Sequence, residues 1–311
     1  MSAFHIVVVG SINMDLVARM ARLPRPGETV HGQSFQTIPG GKGANQAVAV
    51  ARLGVRVTLI GRVGDDSFGE TLLRSLAGNG VVTEQVLVTP HCSSGVALIG
   101  VDEDGANSIT VVAGANGRLT VQDIESRAEI IQSADALIVQ LETPLDTVTT
   151  AIRIARQAGV RTILDPAPAP TSPLPQEVMA VDVISPNQTE AELLTGIVVD
   201  DLASAERAAR RLRELGAREV ALKLGHWGAM ICTDEGRVEH VPATAVDVVD
   251  VVDTTAAGDA FTAALTVALV EGRSLFDAVR FGSGAGTLAC LTLGAQPAMP
   301  SRAELEEFLG R

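Results

Sequence analysis

Cysteine is scarce in this chain. Its 311 residues contain three, Cys92, Cys232 and Cys290, far apart and without a C-x-x-C pair. That excludes a disulfide framework and fits a reducing cytosol. The five histidines show no paired metal-ligand spacing, which argues against a zinc site. No apolar run reaches ~18 residues, so no transmembrane span is expected. The opening Met1–Gly10 lacks a basic stretch and a cleavage site, and it reads as a first buried strand, not a signal peptide. Positive charge is also short: 24 Lys and Arg stand against 37 Asp and Glu, a formal net charge of −13. This argues against nucleic-acid and anionic-membrane partners, although a locally basic pocket can still take a small anion. The first strand ends in Gly10-Ser11-Ile12-Asn13, without the G-x-G-x-x-G of a dinucleotide site.

What the chain does have is a substantial core composition, 46% hydrophobic. Short β-rich runs alternate with amphipathic stretches. Strands are expected at 6–9, 57–60, 136–139, 162–164, 183–184 and 220–223, and helices at 45–53, 68–77, 144–158, 203–215 and 301–309. Nearly all-apolar strands in alternation with helices predict an α/β fold, a mostly parallel sheet covered on both faces by helices. Ligands of such sheets bind at strand ends. The chain reads as one domain over 1–311. Two regions break the alternation: 14–37 and 94–112 read as antiparallel strand pairs that meet as a small β-sheet lid or stay separate surface hairpins.

The most informative stretch is Asp253-Thr254-Thr255-Ala256-Ala257-Gly258-Asp259, followed by an apolar run that ends before Gly272. It reads as a helix with an N-terminus nearly bare of side chains. The first N–H groups of a helix have no internal partner and carry partial positive charge, and small residues let an anion approach them. Asp259 beside that site is a candidate base, or else the cap of a buried helix.

Four other clusters stand out. Gly40-Gly41-Lys42-Gly43-Ala44-Asn45 leads into a helix but is not a phosphate-binding Walker loop, because Gly43 stands where Ser or Thr is required. Asn13 and Asp15 alternate onto one face after the first strand, and Glu142 follows another strand. Amides and carboxylates meet sugar hydroxyls, which both donate and accept. Asn187 and Glu190 stand one helical turn apart and suit either one ligand or a cap. Lys223-Leu224-Gly225-His226-Trp227-Gly228 is a strand and turn that either covers a nucleotide or closes the core edge.

Taken together, GSINMD at 10–15, GGKGANQA at 40–47, QLETP at 140–144, PNQTE at 186–190, KLGHWG at 223–228 and DTTAAGDAF at 253–261 resemble the ribokinase (pfkB-type) family of carbohydrate kinases, in that family's order and over essentially the whole chain. The resemblance implies ATP-dependent phosphorylation of D-ribose at O5, with Mg²⁺ and an activating K⁺. Other sugars or nucleosides are the nearest alternatives, and a sugar-binding protein without chemistry is a remote one. It implies Asp259 as catalytic base and an anion hole around Ala256, Ala257 and Gly258. Asn13, Asp15, Gly41, Lys42, Asn45 and Glu142 would hold the sugar. Asn187 and Glu190 would act near the phosphates and Mg²⁺, partly through water. Lys223, Gly225, Gly228 and Gly258 would line the nucleotide site, and Ser283 would border the adenine. Asp253 and Thr255, with backbone carbonyls of Ala289, Thr292 and Gly294, would bind the monovalent cation. A cytoplasmic homodimer formed through the lid is also implied.

Two features depart from the family pattern. Ala298 stands where a cation-site serine is common, and 241–252 is a few residues longer than usual. Because a helix N-terminus stabilises a carboxylate, Asp259 is expected to be a weak base; phosphoryl transfer tolerates one, because it depends on in-line positioning and charge neutralisation.

Overall fold

A computed structural model describes residues 4–243 and 251–310. The strands are β1 (His5–Val9), β2 (Asn13–Met20), β3 (Gly32–Gly40), β4 (Arg56–Gly64), β5 (Val86–Thr89), β6 (Gly95–Val101), β7 (Asn107–Val112), β8 (Ala136–Val139), β9 (Arg161–Leu164), β10 (Val183–Ile184), β11 (Glu219–Lys223), β12 (Ala229–Cys232) and β13 (Val238–Val241). The helices are α1 (Lys42–Arg52), α2 (Ser67–Gly78), α3 (Val121–Glu125), α4 (Ala128–Gln132), α5 (Leu145–Gln157), α6 (Gln176–Met179), α7 (Gln188–Thr195), α8 (Leu202–Glu214), α9 (Ala257–Val270), α10 (Leu275–Ala289) and α11 (Arg302–Gly310).

Nine strands form the main sheet in the order β13-β12-β11-β10-β9-β8-β1-β4-β5. Pairing is parallel from β11 to β5 and antiparallel at β11–β12 and β12–β13. The strands read as unbroken apolar runs because both faces are buried. Ile6 and Val8 of β1 enter the core shared with α1, α9 and α10, while Val7 and Val9 enter the core beneath α5 and α8. All six expected strands and five expected helices are present, within four residues at each end.

The chain leaves β1 toward β4 on one side and later returns to β8 on the other. Such a reversal opens a crevice at the carboxyl ends of the strands. Gly10 and Ser11 after β1, Gln140 after β8, Asp165 after β9, Asn187 after β10 and Lys223 closing β11 all lie along that rim.

The two interrupting regions form a second sheet, in the order β3-β2-β6-β7. β2–β3 and β6–β7 are the antiparallel pairs the sequence suggests. A parallel pairing of β2 with β6 joins them, for example Asp15 opposite Ala97. That long-range contact leaves no local mark in the sequence.

Candidate active site

The site is built around Asp259, in the first turn of α9. This helix has Ala256 at its N-cap in the left-handed region (φ 60°), with no side-chain cap. A non-glycine residue in that region is strained, and such strain collects at functional sites. The Ala257 N–H already donates to the Thr254 carbonyl (3.3 Å), which leaves the first-turn N–H groups of Gly258 and Asp259 available to an anion.

The Asp259 side chain is buried, 4% exposed. Its Oδ2 accepts from Asn45 Nδ2 (2.9 Å) and its Oδ1 from Gln46 Nε2 (3.1 Å). Burial pushes its pKa up to about 6; Lys42 opposes the shift and Asp165 adds to it. The expected weak base is therefore corrected. Loss of solvent and a neighbouring carboxylate outweigh the helix N-terminus and leave Asp259 a stronger base than an ordinary aspartate.

α1 carries the other half. It begins at Lys42, three residues before the apolar pattern suggests. Gly41 is the N-cap at φ 89°, and a Cβ there would lie 2.6 Å from the Asn13 nitrogen. Gly43 touches the end of β1 just as closely, 2.6 Å from a would-be Cβ to the Gly10 carbonyl carbon. Glu142 supplies the missing cap: its carboxylate accepts from the Lys42 N–H (3.2 Å) and from the Ser11 hydroxyl. A cap that comes from 100 residues away explains why local reading placed the helix start late.

Asn13 and Asp15 are both buried on β2. Asn116 fixes Asn13 by donating to its Oδ1 (2.7 Å). Burial raises the Asp15 pKa to about 7, with Glu142 and Asp259 adding to the shift. The Lys42 ammonium loses solvent, yet Asp259, Asp165, Glu142 and Glu190 hold it charged well above its usual range. Asn45 Oδ1 is buried with no partner, an acceptor left for a hydroxyl. The expected sugar set thus converges on one acidic pocket with Lys42 inside it.

Asn187 and Glu190, expected near the phosphates, form a reciprocal capping box at the start of α7. Capping is therefore part of their role. Glu190 also faces the site: burial raises its pKa, Lys223 opposes the shift, and Asp165 adds to it. Lys223 Nζ is 3.1 Å from Asp165 Oδ1 and 3.5 Å from where a Cβ on Gly258 would stand. The cation therefore sits at the mouth of α9.

The remaining expected residues are more dispersed. Gly225 (φ 58°) opens the turn after β11 into free space, whereas Gly228 is pressed against the backbone of 241–243. Trp227 is packed at the edge of the core and also borders a groove of about 590 Å³ with Leu202, His240 and Pro242. Ser283 is half-buried on α10, the helix packed along α9. Asp253 forms a separate group, with carboxylate oxygens 2.9 Å from the N–H groups of Thr255 and Gly294. Burial opposes its charge, but those hydrogen bonds hold its carboxyl below the usual range. Ala289 and Thr292 adjoin this group, and Ala298 is buried nearby in a short 3-10 turn. The acidic-apolar alternation at 246–252 lies mostly outside the described residues.

Sequence reading missed Asp165, Gln46, Gln140 and Asn116. The signal for Gln46 was its place directly after Asn45; the other three sit in turns that look unremarkable until the strands align. Among the described residues no helix is long and apolar enough to cross a membrane. No group of three or more His, Cys, Asp or Glu is poised there for a metal.

Known proteins resemble this chain over its whole length. The profile of the pfkB family carbohydrate kinases matches residues 3–302. A ribokinase of Haemophilus influenzae is 41% identical over 98% of this chain and 98% of its own. A ribokinase of Bacillus subtilis is 40% identical over 98% and 99%. The structure of Arabidopsis thaliana ribokinase complexed with ribose and ATP superposes with a TM-score of 0.90 at 34% identity, covering 100% of both chains.

Proposed function

The chain belongs to the pfkB family of carbohydrate kinases, and we propose that it phosphorylates D-ribose at O5 with ATP, giving ribose 5-phosphate and ADP. The observation that carries this reading is Asp259: a buried carboxylate with a raised pKa, at the bare N-terminus of α9, hydrogen-bonded to Asn45. The ribokinase relatives and the ribose and ATP complex of the Arabidopsis enzyme support the choice of substrates.

Asp259 takes the proton of the O5 hydroxyl as O5 attacks the γ-phosphorus. The bond from that phosphorus to the β,γ-bridging oxygen breaks, and its electron pair leaves with ADP. The first-turn N–H groups of Gly258 and Asp259 and the ammonium groups of Lys42 and Lys223 neutralise charge on the transferring group. Asn13, Asp15, Gly41, Lys42, Asn45 and Glu142 hold the sugar, with Asn45 Oδ1 accepting from a hydroxyl. Gly225, Gly228, Ser283 and Asn187 belong to the nucleotide side.

Mg²⁺ suits this donor set, because it is held by one or two carboxylates plus phosphate oxygens and waters. Glu190 is the carboxylate to hold it, through water, and the ion would add charge neutralisation at the phosphates. A K⁺ ion would be held by Asp253 and Thr255 with the backbone carbonyls of Ala289, Thr292 and Gly294, where the Asp253 carboxyl is kept below its usual range by the Thr255 and Gly294 hydrogen bonds. The small sheet acts as a lid over the sugar, and its exposed strands join two copies into a homodimer in the cytoplasm. Three free cysteines agree with that compartment.

The test is ADP formation from MgATP with ribose, 2-deoxyribose, fructose, tagatose, adenosine and pseudouridine, with and without K⁺. Ribose should dominate. Preference for another acceptor would keep the Asp259 chemistry and reassign the sugar set, and no turnover with any would reject the kinase reading.

A further inference from the structure

Two buried polar residues in the site have no part in the reaction as written. Asp165, one residue past β9, is 2% exposed, and Gln46 on α1 is fully buried. Asp165 Oδ1 accepts from Lys223 Nζ (3.1 Å) and its Oδ2 from Gln46 Nε2 (2.9 Å). The same Nε2 donates to Asp259 Oδ1 (3.1 Å), and Gln46 Oε1 accepts from Gln140 Nε2 (2.6 Å). The amide has only one workable orientation. Turned over, its oxygen would face two carboxylates and its NH₂ would face the NH₂ of Gln140. A continuous chain, Lys223–Asp165–Gln46–Asp259, therefore runs from the end of β11 to the start of α9.

Such a chain is a poor way to stabilise a core. A buried ion pair seldom outperforms apolar packing of the same volume. Its two ends are the cation at the mouth of α9 and the base. We propose that Gln46 and Asp165 are positioning residues for phosphoryl transfer: Gln46 fixes the Asp259 carboxylate so that its remaining lone pairs meet the sugar hydroxyl, and Asp165 fixes Lys223 where the phosphoryl group passes. One buried amide thereby ties the acceptor side of the site to the donor side.

The inference rests on the reading of Asp259 as base. The charged groups facing Asp259 are Lys42 from α1, Asp165 after β9, Glu142 after β8 and Asp15 from β2, with Lys223 reaching it through Asp165. Removing the Asp165 charge weakens the base; removing the Gln46 donor or the Lys223 charge strengthens it. The signs are therefore opposite, which packing damage alone would not produce.

The test is the pH dependence of kcat, with KM for ribose and for ATP, in Asp165→Asn, Gln46→Met and Lys223→Met. Asp165→Asn should move the acid limb to lower pH, and the other two to higher pH, by about half a unit or more. kcat should fall about tenfold or more in each, from misplacement of reacting groups, while KM for ribose stays within about threefold. Lys223→Met should also raise KM for ATP. Each variant decides for its own residue, so one that fails to fold leaves the others standing. A limb that stays in place or moves the wrong way, or a higher KM for ribose with unchanged kcat, overturns the role of that residue. If Asp259→Asn is inactive while these limbs stay, only the positioning inference fails; if Asp259→Asn is active, the base reading itself fails.

Discussion

At the scale of single residues, burial sets the chemistry of two acids in the site. Asp259 titrates at about 6 and Asp15 at about 7, against 3.8 for an ordinary aspartate. Turnover should therefore fall as pH drops through about 6, where Asp259 takes up its proton, and an initial-rate profile checks it. Stability should run the other way. A carboxyl with a raised pKa in the folded protein favours folding most when protonated, and that contribution is lost as pH rises through the folded value. For Asp259 the linkage amounts to at most about 3 kcal/mol. Asp259→Asn should then melt higher than the parent at pH 8, with the gap closing below about pH 6. An equal or lower Tm at pH 8 would contradict the burial argument. Asp259, Asp15, Asn13, Lys42, Asn45 and Glu142 were legible as candidates because polar residues break apolar or small-residue runs at strand and helix ends. The raised pKa values of Asp259 and Asp15 were not legible, because they depend on burial and on neighbouring carboxylates that only the assembled crevice supplies.

At the scale of elements, two helix starts make the site. The bare N-terminus of α9 is written locally in Thr254-Thr255-Ala256-Ala257-Gly258, and the sequence places it correctly. α1 is different: its start depends on Gly41 at positive φ and on Glu142 from the loop after β8. Gly43 has no room for a side chain against the end of β1. Gly43→Ala should lower stability by about 1–3 kcal/mol, as overpacking does, and should weaken ribose binding by displacing Lys42 and Asn45. Denaturant unfolding together with ribose calorimetry reads both effects. An unchanged midpoint would show that α1 can shift freely. The capping box of Asn187 and Glu190 shows why motif reading alone left two options open, since the pair caps α7 while Glu190 also meets Lys223 and Asp165 in the crevice.

At the scale of the whole molecule, the α/β class and the nearly continuous apolar strands were plain in the sequence, because a sheet buried on both faces needs them. The parallel join of β2 to β6 was not, since the pairing spans some eighty residues and leaves no periodic trace. The second sheet carries exposed apolar side chains: Phe35 on β3, Leu98 on β6, and Ile109, Val111 and Val112 on β7. Phe35, Leu98 and Val112 share one face of the sheet and Ile109 and Val111 the other, and the last two expose apolar side chains from β7, an open edge strand that invites pairing with another copy. The proposed homodimer should therefore dissociate on Ile109→Lys combined with Val111→Lys, seen as a halved mass by light scattering. A parent protein that is already monomeric at working concentration would refute that assembly.

The account depends most on one carboxylate. The direct measurement is turnover of Asp259→Asn with ribose and MgATP, alongside calorimetric binding of ribose to the same variant. The account predicts that kcat falls by about 10²–10⁴, the range for loss of a general base, with ribose affinity within a few-fold of the parent. Near-normal turnover in a variant that still binds ribose would contradict it.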